Sequence, residues 1–258
     1  MKNNKILVTG IDSGLGKYLF KKIKRNVVGF NRKTTIDDIK LFDIDTIIHC
    51  ANNKTLNIKH SDIFKYTNDN LLLTYELSKL PCKKFIYIST VDVYPKDRML
   101  HKEDDVIDIN GIDSIYGITK LMSEQIVINN CRNYLILRPT ALLGPYMKPN
   151  SFTKILTGNY ENFNLASQSD FNYVLYKDIF DFIKLACKED IMGIFNLASK
   201  TNVSLLQVAR EFKKTGEVPF GDYLYHIGFI NNNKVTSIFP AFNKDTLKLI
   251  REFKESYK

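Results

Sequence analysis

Tyr116-Gly117-Ile118-Thr119-Lys120 places a phenol and an ammonium four positions apart in a stretch that reads as helix. That spacing puts both side chains on one helical face, so they can enter one cleft. A cation beside a phenol favours the phenolate, and the expected effect is a Tyr116 pKa lowered from about 10 towards the working pH. A phenol tuned in this way passes a proton to or from an alcohol or sugar oxygen. A chance surface pair has the same spacing, so the reading needs a hydroxyl partner and a cofactor loop upstream, in that order. Both occur. Thr90 stands in Ser89-Thr90-Val91-Asp92-Val93-Tyr94, and the loop is Thr9-Gly10-Ile11-Asp12-Ser13-Gly14-Leu15-Gly16.

The elements that must position these groups follow from apolar patterning. Ile6-Leu7-Val8 is a short apolar run of the kind a buried parallel strand shows. Leu15, Leu19, Phe20 and Ile23 then recur at helical spacing. A strand, a glycine turn and a helix make a phosphate site: glycine allows close approach, and the helix N-terminus favours the pyrophosphate charge. Gly10, Ser13, Gly14, Leu15 and Gly16 are therefore assigned to dinucleotide binding, against a purely structural glycine turn. Asn26 to Phe30 reads as the second strand. Where such a strand commonly ends in an acid for the ribose hydroxyls, Asn31 stands, followed by Arg32 and Lys33. A missing carboxylate with two cations suits a 2′-phosphate, so NADP(H) is the expected preference, with NAD(H) the alternative. Asp45 to Asn52 reads as a buried strand whose small Ala51 lets the cofactor come close to the backbone.

Residues from about Ser61 to Leu80 read as one helix stopped by Pro81. Lys84 to Ile88 is the next strand, and it delivers Thr90 at its carboxyl end, where open α/β sheets bind ligands. Tyr134 to Leu137 is a further strand. Ser204 to Phe212 and the tail from Lys234 to Lys254 read as helical.

Composition bounds the rest. The 258 residues, 44% hydrophobic and 25% charged, suit one globular chain with a large core. A net charge of +9 is either attraction to phosphate-bearing ligands or a lysine-rich solvated surface. No basic-aromatic stripe points to nucleic acid. Cys50, Cys82, Cys131 and Cys187 lie far apart, which excludes a Cys-x-x-Cys zinc or redox pattern and suits reduced thiols in the cytoplasm. No metal site is expected. The start, Met1-Lys2-Asn3-Asn4-Lys5, runs directly into a strand-like segment and reads as no signal peptide. No stretch is long enough to cross a bilayer.

The order of these motifs, completed by Arg138-Pro139-Thr140-Ala141-Leu142-Leu143-Gly144-Pro145, resembles that of extended short-chain dehydrogenases/reductases. More narrowly, it resembles the NAD-dependent epimerase/dehydratase family, which acts on nucleotide sugars. The resemblance implies an α/β fold: a Rossmann-type parallel sheet with helices on both faces and a small C-terminal substrate lobe. It implies a cofactor domain over 1–145 and a lobe over 146–258, with about 171–200 returning to the sheet. By the family pattern Thr90, Tyr116 and Lys120 are catalytic, and Lys120 also holds the nicotinamide ribose.

Departures matter. The glycine spacing is Gly-x-x-x-Gly-x-Gly, whereas extended members usually show Gly-x-x-Gly-x-x-Gly. Family dehydratases follow the threonine with Asp-Glu; here Val91-Asp92 follow, which disfavours dehydration. Phe171 stands near the place of an arginine that holds the nucleotide diphosphate in relatives. Asp178 is expected to cap a helix. The implied activity is reduction of a 4-keto nucleotide sugar by NADPH, with an epimerase on retained NAD as the alternative, or an idle NADP(H)-binding regulator. The implied partners are a nucleotide-sugar substrate and a second copy in a homodimer, with neither nucleic acid nor membrane.

Overall fold

The computed structural model describes residues 5–55 and 58–256. The first four residues, read above as the lead into the first strand, lie outside the described residues. Six strands form the central sheet: β1 (Lys5–Thr9), β2 (Val27–Phe30), β3 (Ile44–His49), β4 (Lys84–Ile88), β5 (Tyr134–Pro139) and β6 (Gly193–Leu197). All pair in parallel, in the order β6-β5-β4-β3-β1-β2. The chain leaves β1 for β2 on one side and returns to β3 on the other. The carboxyl ends of β1 and β3 therefore flank the switch point, where such sheets bind ligands.

Among the described residues ten α-helices accompany the sheet: α1 (Gly14–Lys22), α2 (Ile36–Lys40), α3 (Ile63–Thr67), α4 (Leu73–Ser78), α5 (Ile115–Asn130), α6 (Ser151–Thr157), α7 (Tyr176–Lys188), α8 (Leu205–Glu211), α9 (Asn233–Ile238) and α10 (Thr246–Ser256). Strand residues alternate between the two faces of the sheet. Val8, Ile48, Ile86, Ile88, Leu135 and Leu137 pack with Leu15 and Leu19 of α1 and Ile179 and Phe182 of α7. Leu7, Ile47, Phe85, Tyr87 and Ile136 pack on the other face with Leu77 of α4 and Val127 of α5. A third core, with Phe152, Tyr173, Leu205, Val208, Leu249 and Phe253, lies in the C-terminal lobe.

The helix expected over about 61–80 is interrupted. A π turn spans Asn68–Leu72 between α3 and α4. Asn70, in that turn, accepts the Asn53 N–H at 2.7 Å and returns its own amide to the Asn53 carbonyl at 3.1 Å. The turn thus fastens the loop that follows β3. Asp178 is not a cap. Leu175 holds the N-cap position of α7, and Asp178 is buried in the first turn, where burial raises its pKa.

Candidate active site

The glycine loop is shaped by contacts that a side chain would break. Gly10 (φ 72°) lies against the backbone after β3, where an added Cβ would sit 2.9 Å from the Ala51 nitrogen. At Gly16 an added Cβ would sit 2.4 Å from the Gly10 carbonyl oxygen, so this glycine sets how closely α1 approaches β1. The Thr9 hydroxyl accepts the N–H groups of Cys50 and Ala51 at 3.0 and 2.9 Å. It also bonds His49 Nδ1 at 2.7 Å, and His49 Nε2 bonds the Thr74 hydroxyl at 3.0 Å. Burial holds His49 neutral, with its pKa pushed down to about 3. His49 is thus a strut between β3 and α4.

This cradle fits a dinucleotide pyrophosphate. Ser13 takes the N-cap position of α1 with no cap hydrogen bond from its side chain. Leu15 buries its side chain in the core, so only its backbone N–H is available to the loop. Gly14 N–H donates to the Tyr146 carbonyl at 2.8 Å, which fastens the segment after β5 onto the loop.

The end of β2 differs from expectation in one respect. Asn31 and Arg32 follow the strand as foreseen, but a carboxylate is present. The Asn31 amide donates to Asp12 Oδ1 at 3.0 Å, and Asp12 comes from the glycine loop. Arg32 pairs with Asp69 at 3.3 Å, and Asp69 also accepts the Asn53 amide at 3.0 Å.

Tyr116 and Lys120 occupy the first turns of α5, which Ser114 caps by accepting the Gly117 N–H. Gly117 lets this end of the helix lie on the turn after β4. An added Cβ there would sit 2.1 Å from the Asp92 carbonyl oxygen. Thr90, buried at the end of β4, accepts the Asp92 N–H at 3.2 Å and donates to Asp92 Oδ2 at 3.1 Å. The Asp92 carboxylate also pairs with Lys96 at 2.8 Å.

The expected lowering of the Tyr116 pKa is overturned. Burial first, then the Asp92 carboxylate, pushes it well above the ordinary value; the Asn52 hydrogen bond, 3.2 Å from Asn52 Nδ2 to Tyr116 Oη, acts the other way. Lys120 directs its ammonium to the Ile88 carbonyl at 2.7 Å and lies 4.5 Å from the centroid of the Tyr87 ring. Burial, reinforced by Lys54, draws Lys120 itself down to about 7.

Three groups escape the sequence reading. Asn52 holds the phenol, Lys54 lies 5.4 Å from the centroid of the Tyr116 ring, and Asp92 supplies the nearby negative charge. Applying to β3 the rule already applied to β4, that strand ends face the cleft, finds the first two. The C-terminal lobe meets the site where Lys96 lies 5.7 Å from the centroid of the Tyr225 ring. Tyr225 stacks on Phe171 with centroids 4.9 Å apart, so Phe171 lines the lobe through an aromatic pair.

Behind the site lies a buried polar core. Arg138 donates to Glu124 through Nε at 3.0 Å and Nη2 at 2.6 Å, and to the Tyr94 hydroxyl at 2.7 Å. Glu124 also accepts the Ser89 hydroxyl. This network ties β4, α5 and β5 together one turn beyond Lys120. Among the described residues no cluster of metal-ligating side chains occurs, and no helix is long and apolar enough to cross a membrane.

Similarity to known proteins agrees with this geometry. Residues 6–198 match the model of the NAD dependent epimerase/dehydratase family. A dTDP-D-glucose 4,6-dehydratase of Dictyostelium discoideum is 24% identical over 245 residues, covering 81% of this chain and 56% of that protein. The match thus spans little more than half of the curated relative. Two solved structures share the fold. A dTDP-4-dehydrorhamnose reductase from Bacillus anthracis, in complex with NADP, has a TM-score of 0.81 at 18% identity, covering 99% of this chain and 100% of that one. A UDP-glucuronic acid 4-epimerase from Bacillus cereus, in complex with UDP-glucuronic acid and NAD, has a TM-score of 0.75 at 21% identity, covering 98% and 100%. With its glycine cradle at the switch point and its Tyr-Lys helix laid against the end of β4, the chain belongs to the NAD dependent epimerase/dehydratase family.

Proposed function

We propose that the protein reduces the keto group of a nucleotide sugar, a 4-keto sugar being the simplest case. A bound nicotinamide dinucleotide supplies the hydride. Thr90 and Tyr116 orient the carbonyl oxygen, and Tyr116 releases its proton to that oxygen. The observation that carries this reading is the seating of Tyr116: Gly117 lets α5 lie against the turn after β4, and Asn52 Nδ2 holds the phenolic oxygen at 3.2 Å, which leaves the phenolic proton for a substrate oxygen. A phenol held in this way can pass its proton to the oxygen that hydride addition leaves charged. Lys120 and Ser13 face the cofactor side, and the lobe around Phe171 and Tyr225 takes the nucleotide sugar. Elimination is disfavoured because the Asp92 carboxylate is already held by Thr90 and Lys96.

The test is oxidation of NADPH and NADH, followed by nicotinamide absorbance, with a panel of 4-keto nucleotide sugars. No turnover with any of them removes the reading. An epimerase on retained NAD is the second reading, favoured by the Asp12 carboxylate at the ribose end of the site. Purified protein carrying tight NAD, and interconverting UDP-sugars without added cofactor, would establish it.

The same reading places the protein in the cytoplasm, which suits its four free cysteines. It also makes the protein a homodimer through α3, α4 and α5. Ile63, Phe64, Tyr75, Ile115 and Met122 expose apolar surface on those helices.

A further inference from the structure

The end of β2 carries no acid of its own, yet an acid stands there. Asp12 lies between Gly10 and Gly14, and the Asn31 side chain holds its Oδ1 at 3.0 Å. Asn31 is itself held: its Oδ1 accepts the Lys33 N–H at 3.0 Å and the Thr34 hydroxyl at 3.4 Å. The other Asp12 oxygen has no bond to Asn31. Of the two cations that could meet a 2′-phosphate, Arg32 is turned to Asp69, which Asn53 anchors in turn. The ribose of a dinucleotide lies between the glycine loop and the end of the second strand. A carboxylate accepts two ribose hydroxyls well and repels a phosphate in the same place.

We propose that Asp12, carried by Asn31, is the ribose-hydroxyl acceptor of this site and sets it to take NAD(H) at least as tightly as NADP(H). The inference rests on the dinucleotide-binding reading of the glycine loop and goes beyond it in naming the residue that discriminates. It also reverses the expectation drawn from Asn31 and Arg32 alone, because the acid arrives from a different segment.

The test is direct binding. NADH and NADPH are titrated, by nicotinamide fluorescence and by calorimetry, into the wild-type protein, Asp12→Asn and Asp69→Asn. Asparagine keeps the size of each side chain, and thermal melts confirm that both variants are folded. Wild-type protein should bind NADH at least as tightly as NADPH. Asp12→Asn should move the NADH/NADPH affinity ratio about tenfold towards NADPH, since it removes an acceptor for one ligand and a repulsion for the other. Asp69→Asn should tighten NADPH and leave NADH unchanged, because it frees Arg32. A ratio that Asp12→Asn leaves unmoved, or a wild-type preference for NADPH, overturns the proposal while the dinucleotide reading stands. Wild-type protein that binds neither compound overturns both.

Discussion

The side-chain amide of Asn52, just beyond the carboxyl end of β3, donates to the phenolic oxygen of Tyr116 at the start of α5. The bond leaves the phenolic proton pointing away from Asn52 and available to a substrate oxygen. Tyr116→Phe is therefore expected to lower kcat/KM by about 10²–10⁴-fold while NAD(P)H binding persists. Asn52→Ala should cost less, about tenfold, the scale of one lost hydrogen bond. Unchanged turnover in Tyr116→Phe would remove Tyr116 as the proton donor.

Lys120 gives cofactor binding a pH dependence. Burial draws its pKa down to about 7. Below that value the ammonium attracts the anionic cofactor; above it the charge is lost. Affinity should therefore fall as pH rises through about 7, and binding at neutral pH should take up a fraction of a proton. Calorimetric titrations in buffers of different ionisation enthalpy measure that uptake. Lys120→Met should abolish it.

His49 contributes to the loss of stability in acid. Its folded pKa is about 3, below its ordinary 6.5, because it is buried between Thr9 and Thr74. The unfolded chain binds this proton first. The contribution is complete above pH 6.5 and is lost as pH falls towards about 3. Urea midpoints followed across that range should decline on acidification, and His49→Gln should flatten the decline.

Gly117 tests how α5 is seated. A methyl group there meets the Asp92 carbonyl oxygen, which is backbone and cannot swing away. Gly117→Ala should destabilise the protein by about 1–3 kcal/mol. It should also lower kcat more than cofactor affinity, because it lifts the start of α5, and Tyr116 with it, off the turn after β4. A variant with normal kcat would show that α5 need not lie so close.

The dimer proposal rests on exposed apolar surface. Phe64 of α3 is 77% exposed and Met122 of α5 is 50% exposed. Phe64→Glu should convert a dimer to a monomer in sedimentation. A wild-type protein that sediments as a monomer at high concentration removes the proposal.

What the residues disclosed beforehand was local. The loop from Gly10 to Gly16, Thr90 at the end of β4 and the Tyr116–Lys120 pair each carry their meaning in a few consecutive positions. What escaped was set by the meeting of distant segments. The Tyr116 pKa depends on burial and on Asp92, 24 positions upstream. Asp12 looked like a spacer until Asn31 was found to hold it. One long helix was foreseen over about 61–80 because its apolar spacing hides the π turn, whose Asn70 serves a loop on another element. Asp178 resembled a cap by type alone, whereas Leu175 occupies that position in extended conformation.

The sixth strand of the sheet carries a consequence for cooperativity. It comes from Gly193–Leu197 and pairs along β5, after the chain has already built part of the C-terminal lobe. Phe195 and Phe182 share a core with Val8 and Leu15 from the other end of the chain. The two halves are therefore not separable modules. A chain cut at 145 would expose β5 as a bare edge and strip α7 from the face that α1 shares. Thermal unfolding should be a single transition with matching calorimetric and van't Hoff enthalpies, and neither half should fold when produced alone.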